Sequence, residues 1–290
     1  MICEICPRKC GADRSKKCGF CGAPEEFRLA RAALHYWEEP CISGKNGSGA
    51  VFFSGCNLKC AFCQNYEISA LSKGVNVTDE KLINIFESLI ASGAHNINLV
   101  SPTHYAARLA VLFEKWHCPV PVIYNSSGYE SVGTLKLLEG KVDVYLPDLK
   151  YIRQDKAERY SKAQNYFLHA SNALDEMYRQ SGDCEFDSNG IIKKGMIIRH
   201  LILPANTNSS LEIIDYIAKK FPRTPVSLMA QYVPCNDLSA CGEINRKITK
   251  REYDKVVSYA QNKIKSTVYI QELSSSDEKF IPEFDFTGVL

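Results

Sequence analysis

Nine of the chain's 13 cysteines lie within its first 63 residues, and three of them stand at Cys56, Cys60 and Cys63 in the run CNLKCAFC. Such clustering constrains the fold more than any other feature of the sequence. Neighbouring thiolates at fixed spacing must converge on one centre, so the loop that carries them has to be held by the scaffold around it. The odd count excludes complete pairing in disulfides. The opening Met-Ile-Cys-Glu lacks a basic stretch followed by an apolar one, so reduced thiols and a cytoplasmic location are expected.

The rest of the chain alternates apolar runs with amphipathic stretches. Strands are expected over residues 50–54, 97–100, 120–124, 142–146, 196–203, 226–232 and 268–271. Helices are expected between them, over 78–93, 105–115, 131–138, 153–182, 209–221 and 249–263. Thr78 is expected to cap the first of these. Ser209 with Glu212 and Thr249 with Glu252 read as capping boxes. About six strand–helix units after residue 50 argue for a parallel α/β architecture. Residues 1–40 read as a small cysteine-rich metal-held module, 41–273 as the main domain and 274–290 as an irregular tail. Lys+Arg 35 against Asp+Glu 33 speaks against a nucleic-acid coat. No apolar run reaches the roughly 20 residues of a membrane span.

Several expected strands end in polar residues: Ser101, Thr103 and His104; Asn125 and Ser127; Asp148 and Lys150; Gln231. Ligands of parallel α/β folds sit at the carboxyl ends of strands, so these ends mark a pocket. Ion pairing of Asp148 with Lys150, and core packing of His104 and His200, are the plain alternatives. Three thiolates in one loop can hold three irons of a cubane cluster and leave the fourth open for a cofactor. A structural zinc would need a fourth ligand from elsewhere. Near the N-terminus, Cys3-x2-Cys6-x3-Cys10 and Cys18-x2-Cys21 offer five thiols, enough for a tetrahedral zinc.

The C-x3-C-x2-C loop, with Phe62 before its last cysteine and a strand ahead of it, resembles the radical S-adenosylmethionine (SAM) superfamily. The segments HYWEEPCISG at 35–44, SPTHY at 101–105, YNSSGYE at 124–130, PDLKY at 147–151, RHLILP at 199–204 and MAQYVP at 229–234 resemble the branch related to pyruvate formate-lyase activating enzymes. The resemblance implies a partial (β/α)6 barrel. It implies a 4Fe–4S cluster on Cys56, Cys60 and Cys63, with SAM on the open iron. It places Phe62 by the adenine and the stretch from Ser101 to His104 near the SAM amino group. Asn125, Ser127, Asp148 and Lys150 are then candidates for ribose and carboxylate contacts, with Arg199 from a later strand. Cys3, Cys6, Cys10 and Cys21 match the branch's N-terminal pattern and would bind zinc or an auxiliary cluster. Cys41 is a candidate ligand or radical-site thiol, or is simply buried. A protein or peptide substrate and a flavodoxin- or ferredoxin-like electron donor are the implied partners. Glycyl-radical activators place Trp before the last cysteine and Asn-Pro soon after it, where this chain has Phe62 and Gln64-Asn65-Tyr66. A small-metabolite or nucleotide substrate, or a non-catalytic metal protein, are the other readings.

Overall fold

The computed structural model describes residues 2–277 and 281–290. Eleven strands are described: β1 (Phe27–His35), β2 (Ser48–Phe53), β3 (Val75–Val77), β4 (Ile97–Val100), β5 (Val122–Ser126), β6 (Val144–Pro147), β7 (Glu185–Phe186), β8 (Ile192–Met196), β9 (Ile198–Leu201), β10 (Val226–Met229) and β11 (Val268–Ile270). They form one sheet in the order β3-β1-β2-β4-β5-β6-β8-β7 and a second in the order β11-β10-β9. The ladders from β2 through β4, β5 and β6 to β8 are parallel, as are β9–β10 and β10–β11. Only Ile197 separates β8 from β9, and its amide donates to Tyr145 O on β6. An isolated parallel bridge joins Asp148 to Arg199. The two sheets therefore continue into each other as one curved parallel array. Among the described residues no ladder closes it into a full barrel.

Parallel strands need covered crossovers, and helices supply them. They are α1 (Pro40–Ser43), α2 (Tyr66–Ser69), α3 (Asp79–Ala91), α4 (Ala106–Lys115), α5 (Val132–Lys136), α6 (Gln154–Ser161), α7 (Tyr166–Ser181), α8 (Thr207–Lys220) and α9 (Lys250–Lys263). The expected caps form at both threonines. Thr78 accepts from Lys81 N, and Thr249 with Glu252 makes the full capping box. Apolar side chains at helical spacing on α3 (Leu82, Ile85, Phe86 and Leu89) are buried, each stabilising the fold by roughly 1.5–3 kcal/mol. Among the described residues no helix is long and apolar enough to cross a membrane.

Three expectations need correction. The capping box at Ser209 does not form, because α8 already begins at Thr207; Glu212 instead pairs with Arg153. The single helix over 153–182 is two helices, since Lys162 and Asn165 adopt left-handed φ of 51° and break it. The cysteine-rich module is shorter than 1–40. Residues from Phe27 onward form β1, which pairs antiparallel with β2 and so belongs to the main sheet. The tail is irregular but attached: Phe286 N donates to Ala30 O and Ala32 N to Thr287 O. These bonds cover an edge of β1 that would otherwise invite pairing with another chain.

Candidate functional site

The loop after β2 is fixed from three sides. Gly55 adopts φ +94°, and a Cβ there would lie 2.7 Å from Cys21 O, so the position needs glycine. Cys56 N donates to Cys21 O at 3.0 Å, tying the loop to the N-terminal module. Arg8 Nε donates to Asn57 O at 2.8 Å, and the Asn57 side chain donates to Tyr129 O. On the other side, Lys59 N and Ala61 N donate to Ser161 O and Tyr160 O at the end of α6. The helix break at Lys162 is thus what brings these carbonyls to the cysteine loop.

Each thiol of the loop has a polar neighbour. Leu58 N donates to Cys56 Sγ at 3.4 Å, the Ser161 hydroxyl to Cys60 Sγ at 2.9 Å, and Cys63 Sγ lies 3.2 Å from Ser69 Oγ. Burial pushes the free thiols of Cys56 and Cys60 up to about 12 and 11, although the Lys150 charge opposes this at Cys60. These groups would be costly to ionise without a cation beside them. Among the described residues no three His, Cys, Asp or Glu side chains make a single-ion site. Three soft thiols with hydrogen-bonded sulfurs fit an iron–sulfur cluster, whose sulfurs are tuned by such bonds.

The loop lines a cavity of about 510 Å³, within the range of small-molecule sites. Cys56, Cys60, Phe62 and Cys63 face it together with Ser101, Asn125, Ser127, Asp148, Lys150 and Arg199. Residues from β5, β9 and the loops after β4, β5 and β6 thus meet although they are far apart in sequence. Phe62 is 6% exposed and packs on Tyr232 with ring centroids 5.8 Å apart. Ser101 has a left-handed φ of 59°, an uncommon conformation for a residue other than glycine, and its amide bonds to Asn125 O.

The cavity holds a charge network rather than a surface ion pair. Lys150 Nζ lies 2.5 Å from Asp148 Oδ2, and Arg199 Nε 2.9 Å from Asp148 Oδ1. Arg199 also reaches Glu38 Oε2 at 3.2 Å and Asn125 Oδ1 at 2.6 Å. Burial alone would raise the Asp148 carboxyl, but Lys150 and Arg199 outweigh it and hold the group below its usual range. Burial likewise disfavours the Lys150 ammonium, and the Asp148 charge overcomes it, so the group stays protonated.

Not every candidate reaches this cavity. Thr103 and His104 do not line it. They sit in a short 3-10 turn behind the strand end, where Thr103 Oγ1 donates to Glu130 and His104 Nε2 meets Ser54 O at 2.9 Å. His200 is a satisfied core histidine between Leu149 O and Ser210 Oγ. Cys41 is 5% exposed on α1, among Ile42, Ile123, Val144 and Leu146. It does not line the cavity, and burial pushes its thiol up to about 11. Cys3, Cys6, Cys10 and Cys21 lie near one another: a Cβ on Gly19 would stand 3.1 Å from Cys10 Sγ and 3.8 Å from Cys21 Sγ. Glu38 and Glu39, which line the cavity, escaped the strand-end reasoning because they follow β1, an antiparallel strand. Two adjacent acids after an apolar strand were the available signal.

A family model described as a 4Fe–4S single cluster domain matches residues 42–165. An uncharacterized protein of Methanocaldococcus jannaschii is 30% identical over 269 residues, covering 89% of this chain and 74% of that protein. The FeFe-hydrogenase maturase HydG from Carboxydothermus hydrogenoformans is similar in fold, with a TM-score of 0.52 at 14% identity over 80% of this chain. Methylornithine synthase (PylB) gives 0.51 at 12% identity over 73% of this chain. The chain spans 56% and 60% of the lengths of these two structures, and the likeness extends to the fold alone. The chain belongs to one family with the Methanocaldococcus jannaschii protein, and its C-x3-C-x2-C loop lines a cavity in a mainly parallel α/β array.

Proposed function

We propose that Cys56, Cys60 and Cys63 hold the 4Fe–4S cluster and that the cavity beside them takes SAM and then the hydrogen-donating part of a substrate. When bound, the cluster and SAM supply one-electron reductive cleavage and a 5′-deoxyadenosyl radical. The observation that carries the reading is the shared cavity: three thiols, the polar residues at the ends of β4, β5 and β6, and Arg199 of β9 face one space. Lys150 and Arg199 offer donors to a carboxylate, at present shared by Asp148. Ser127 Oγ is buried with no hydrogen-bond partner among the described residues and is available to a ribose hydroxyl. Phe62 and Tyr232 provide an apolar wall for an adenine. The Ser161 hydroxyl donates to Cys60 Sγ and the Ser69 hydroxyl lies against Cys63 Sγ, and both hold these thiols in place.

The substrate is proposed to be a protein or peptide, with exposed Tyr36 and Trp37 at the cavity mouth as its first contacts. A flavodoxin- or ferredoxin-like donor in the cytoplasm is the proposed electron source. The N-terminal thiols are proposed to bind a second metal group, zinc or an iron–sulfur cluster.

Anaerobically reconstituted protein should show a reduced-cluster EPR signal that SAM shifts, and should form 5′-deoxyadenosine from SAM. Replacing Cys56, Cys60 and Cys63 together by Ala should abolish both. Persistence of the same signal in the triple variant would overturn the assignment. Metal remaining on that variant would report the N-terminal group.

A further inference from the structure

Burying a carboxylate oxygen without a donor is costly, and the cavity floor contains one. Glu39 is 8% exposed and lines the cavity, yet its Oε2 has no hydrogen-bond partner among the described residues. Beside it, Glu38 Oε1 accepts from Asn98 Nδ2 at 3.1 Å and Asn125 Nδ2 at 3.3 Å. Asn98 is fully buried, and its Oδ1 is a second acceptor without a partner. Asn98 lies behind the lining, so the unfilled group at the cavity itself is the Glu39 oxygen. Glu38, Glu39, Asp148 and Glu272 line the cavity with the two cations Lys150 and Arg199, and both cations are bonded to Asp148. Burial pushes the Glu39 carboxyl up and the Arg199 charge favours its ionised form against that effect, but Arg199 donates to Asp148, Glu38 and Asn125 and not to Glu39 Oε2.

We propose that this floor is a cation subsite in which Glu39, flanked by Glu38, takes a primary ammonium group of the substrate. An ammonium brings three donors and one positive charge, which answers the unfilled Glu39 oxygen and the adjacent Glu38 carboxylate. The proposal rests on the reading of the cavity as a substrate chamber. It narrows the substrate class to amines: a free alkylamine or amino acid, or a lysine side chain or N-terminus of a peptide.

The test uses the anaerobically reconstituted full chain carrying Trp116→Phe, so that Trp37 at the cavity mouth is the only indole. Its emission is titrated with butylammonium, 1-butanol and butyrate. It is then titrated with an octapeptide containing one lysine and with the same peptide acetylated on that lysine. Butylammonium should saturate the signal where 1-butanol and butyrate do not, and Glu39→Gln should weaken it about tenfold, the loss expected for a charge-assisted contact. Preference for the lysine peptide over its acetylated form identifies a peptide source; response to butylammonium alone identifies a free amine. Equal responses to butylammonium and 1-butanol in the Trp116→Phe chain overturn the proposal even if the Glu39 variant does not fold. So does unchanged affinity in a folded Glu39→Gln protein. If Glu39→Gln instead weakens the SAM-induced EPR shift, the carboxylate belongs to the cofactor site and the proposal fails. Absence of that shift in protein with Glu39 intact overturns the cofactor reading and leaves the amine titration to be judged separately.

Discussion

At the scale of single residues, the site depends on how Asp148 is shared. It accepts from both Lys150 and Arg199, and it holds the two cations at the cavity wall until a ligand carboxylate competes for them. Lys150→Ala should therefore weaken SAM binding by about tenfold or more without loss of iron, since a charge-assisted contact disappears and no thiol is touched. Adding Arg199→Ala should weaken it further. SAM affinity and 5′-deoxyadenosine formation at constant iron content provide the measurement; unchanged values in both variants would remove these cations from the site. The strand-end rule found Asn125, Asp148 and Lys150 because a side chain at the end of a parallel strand has little choice of direction. It failed at Thr103 and His104. Ser101 turns left-handed and Pro102 follows, and the resulting 3-10 turn carries both residues away from the mouth. Local backbone geometry of that kind leaves no periodic trace in a sequence.

At the scale of elements, alternation and caps made most strands and helices legible, because burial of a parallel sheet on both faces imposes apolar runs of fixed length. The antiparallel strand β1 fell inside the stretch read as a cysteine-rich module, since its place in the sheet is fixed by tertiary pairing with β2. The break between α6 and α7 was invisible for a similar reason. Neither Lys162 nor Asn165 is a glycine, and the cost of their left-handed backbone is recovered by packing the α6 end against the cysteine loop. Gly55 is the joint between that loop, β2 and the N-terminal module. Gly55→Ala would force a Cβ to 2.7 Å from the Cys21 carbonyl at a left-handed φ. It should destabilise the protein by about 1–3 kcal/mol and lower cluster occupancy after reconstitution. Denaturant midpoints and iron content check it; an unperturbed variant would mean that the module is not seated on the loop through this contact.

For the whole molecule, stability against pH is set by buried titratable groups that join the array together. Glu130 is 1% exposed and accepts from Thr103 Oγ1 after β4 and from the Tyr124 hydroxyl on β5. Burial pushes its carboxyl up to about 7 from the usual 4.5. Between those values the folded chain keeps a proton that the unfolded chain releases, so this group's contribution is lost as pH rises from about 4.5 to 7. His104 and His200 act in the opposite sense. Burial holds them neutral, at about 3 and 4 against the usual 6.5, so the unfolded chain binds protons that the folded chain does not. Their contribution is present above about pH 6.5 and is lost as pH falls toward about 4. Stability should therefore climb from pH 4.5 to 6.5 less steeply than two buried histidines alone would require, because Glu130 subtracts from the slope. Glu130→Gln cannot ionise and should restore the steeper climb, gaining relative to the parent chain by up to about 3 kcal/mol between pH 4.5 and 7.5. Denaturant unfolding of both proteins across this range measures the difference. Two curves that run parallel would show that Glu130 titrates as an ordinary carboxylate and that the turn after β4 is open to water.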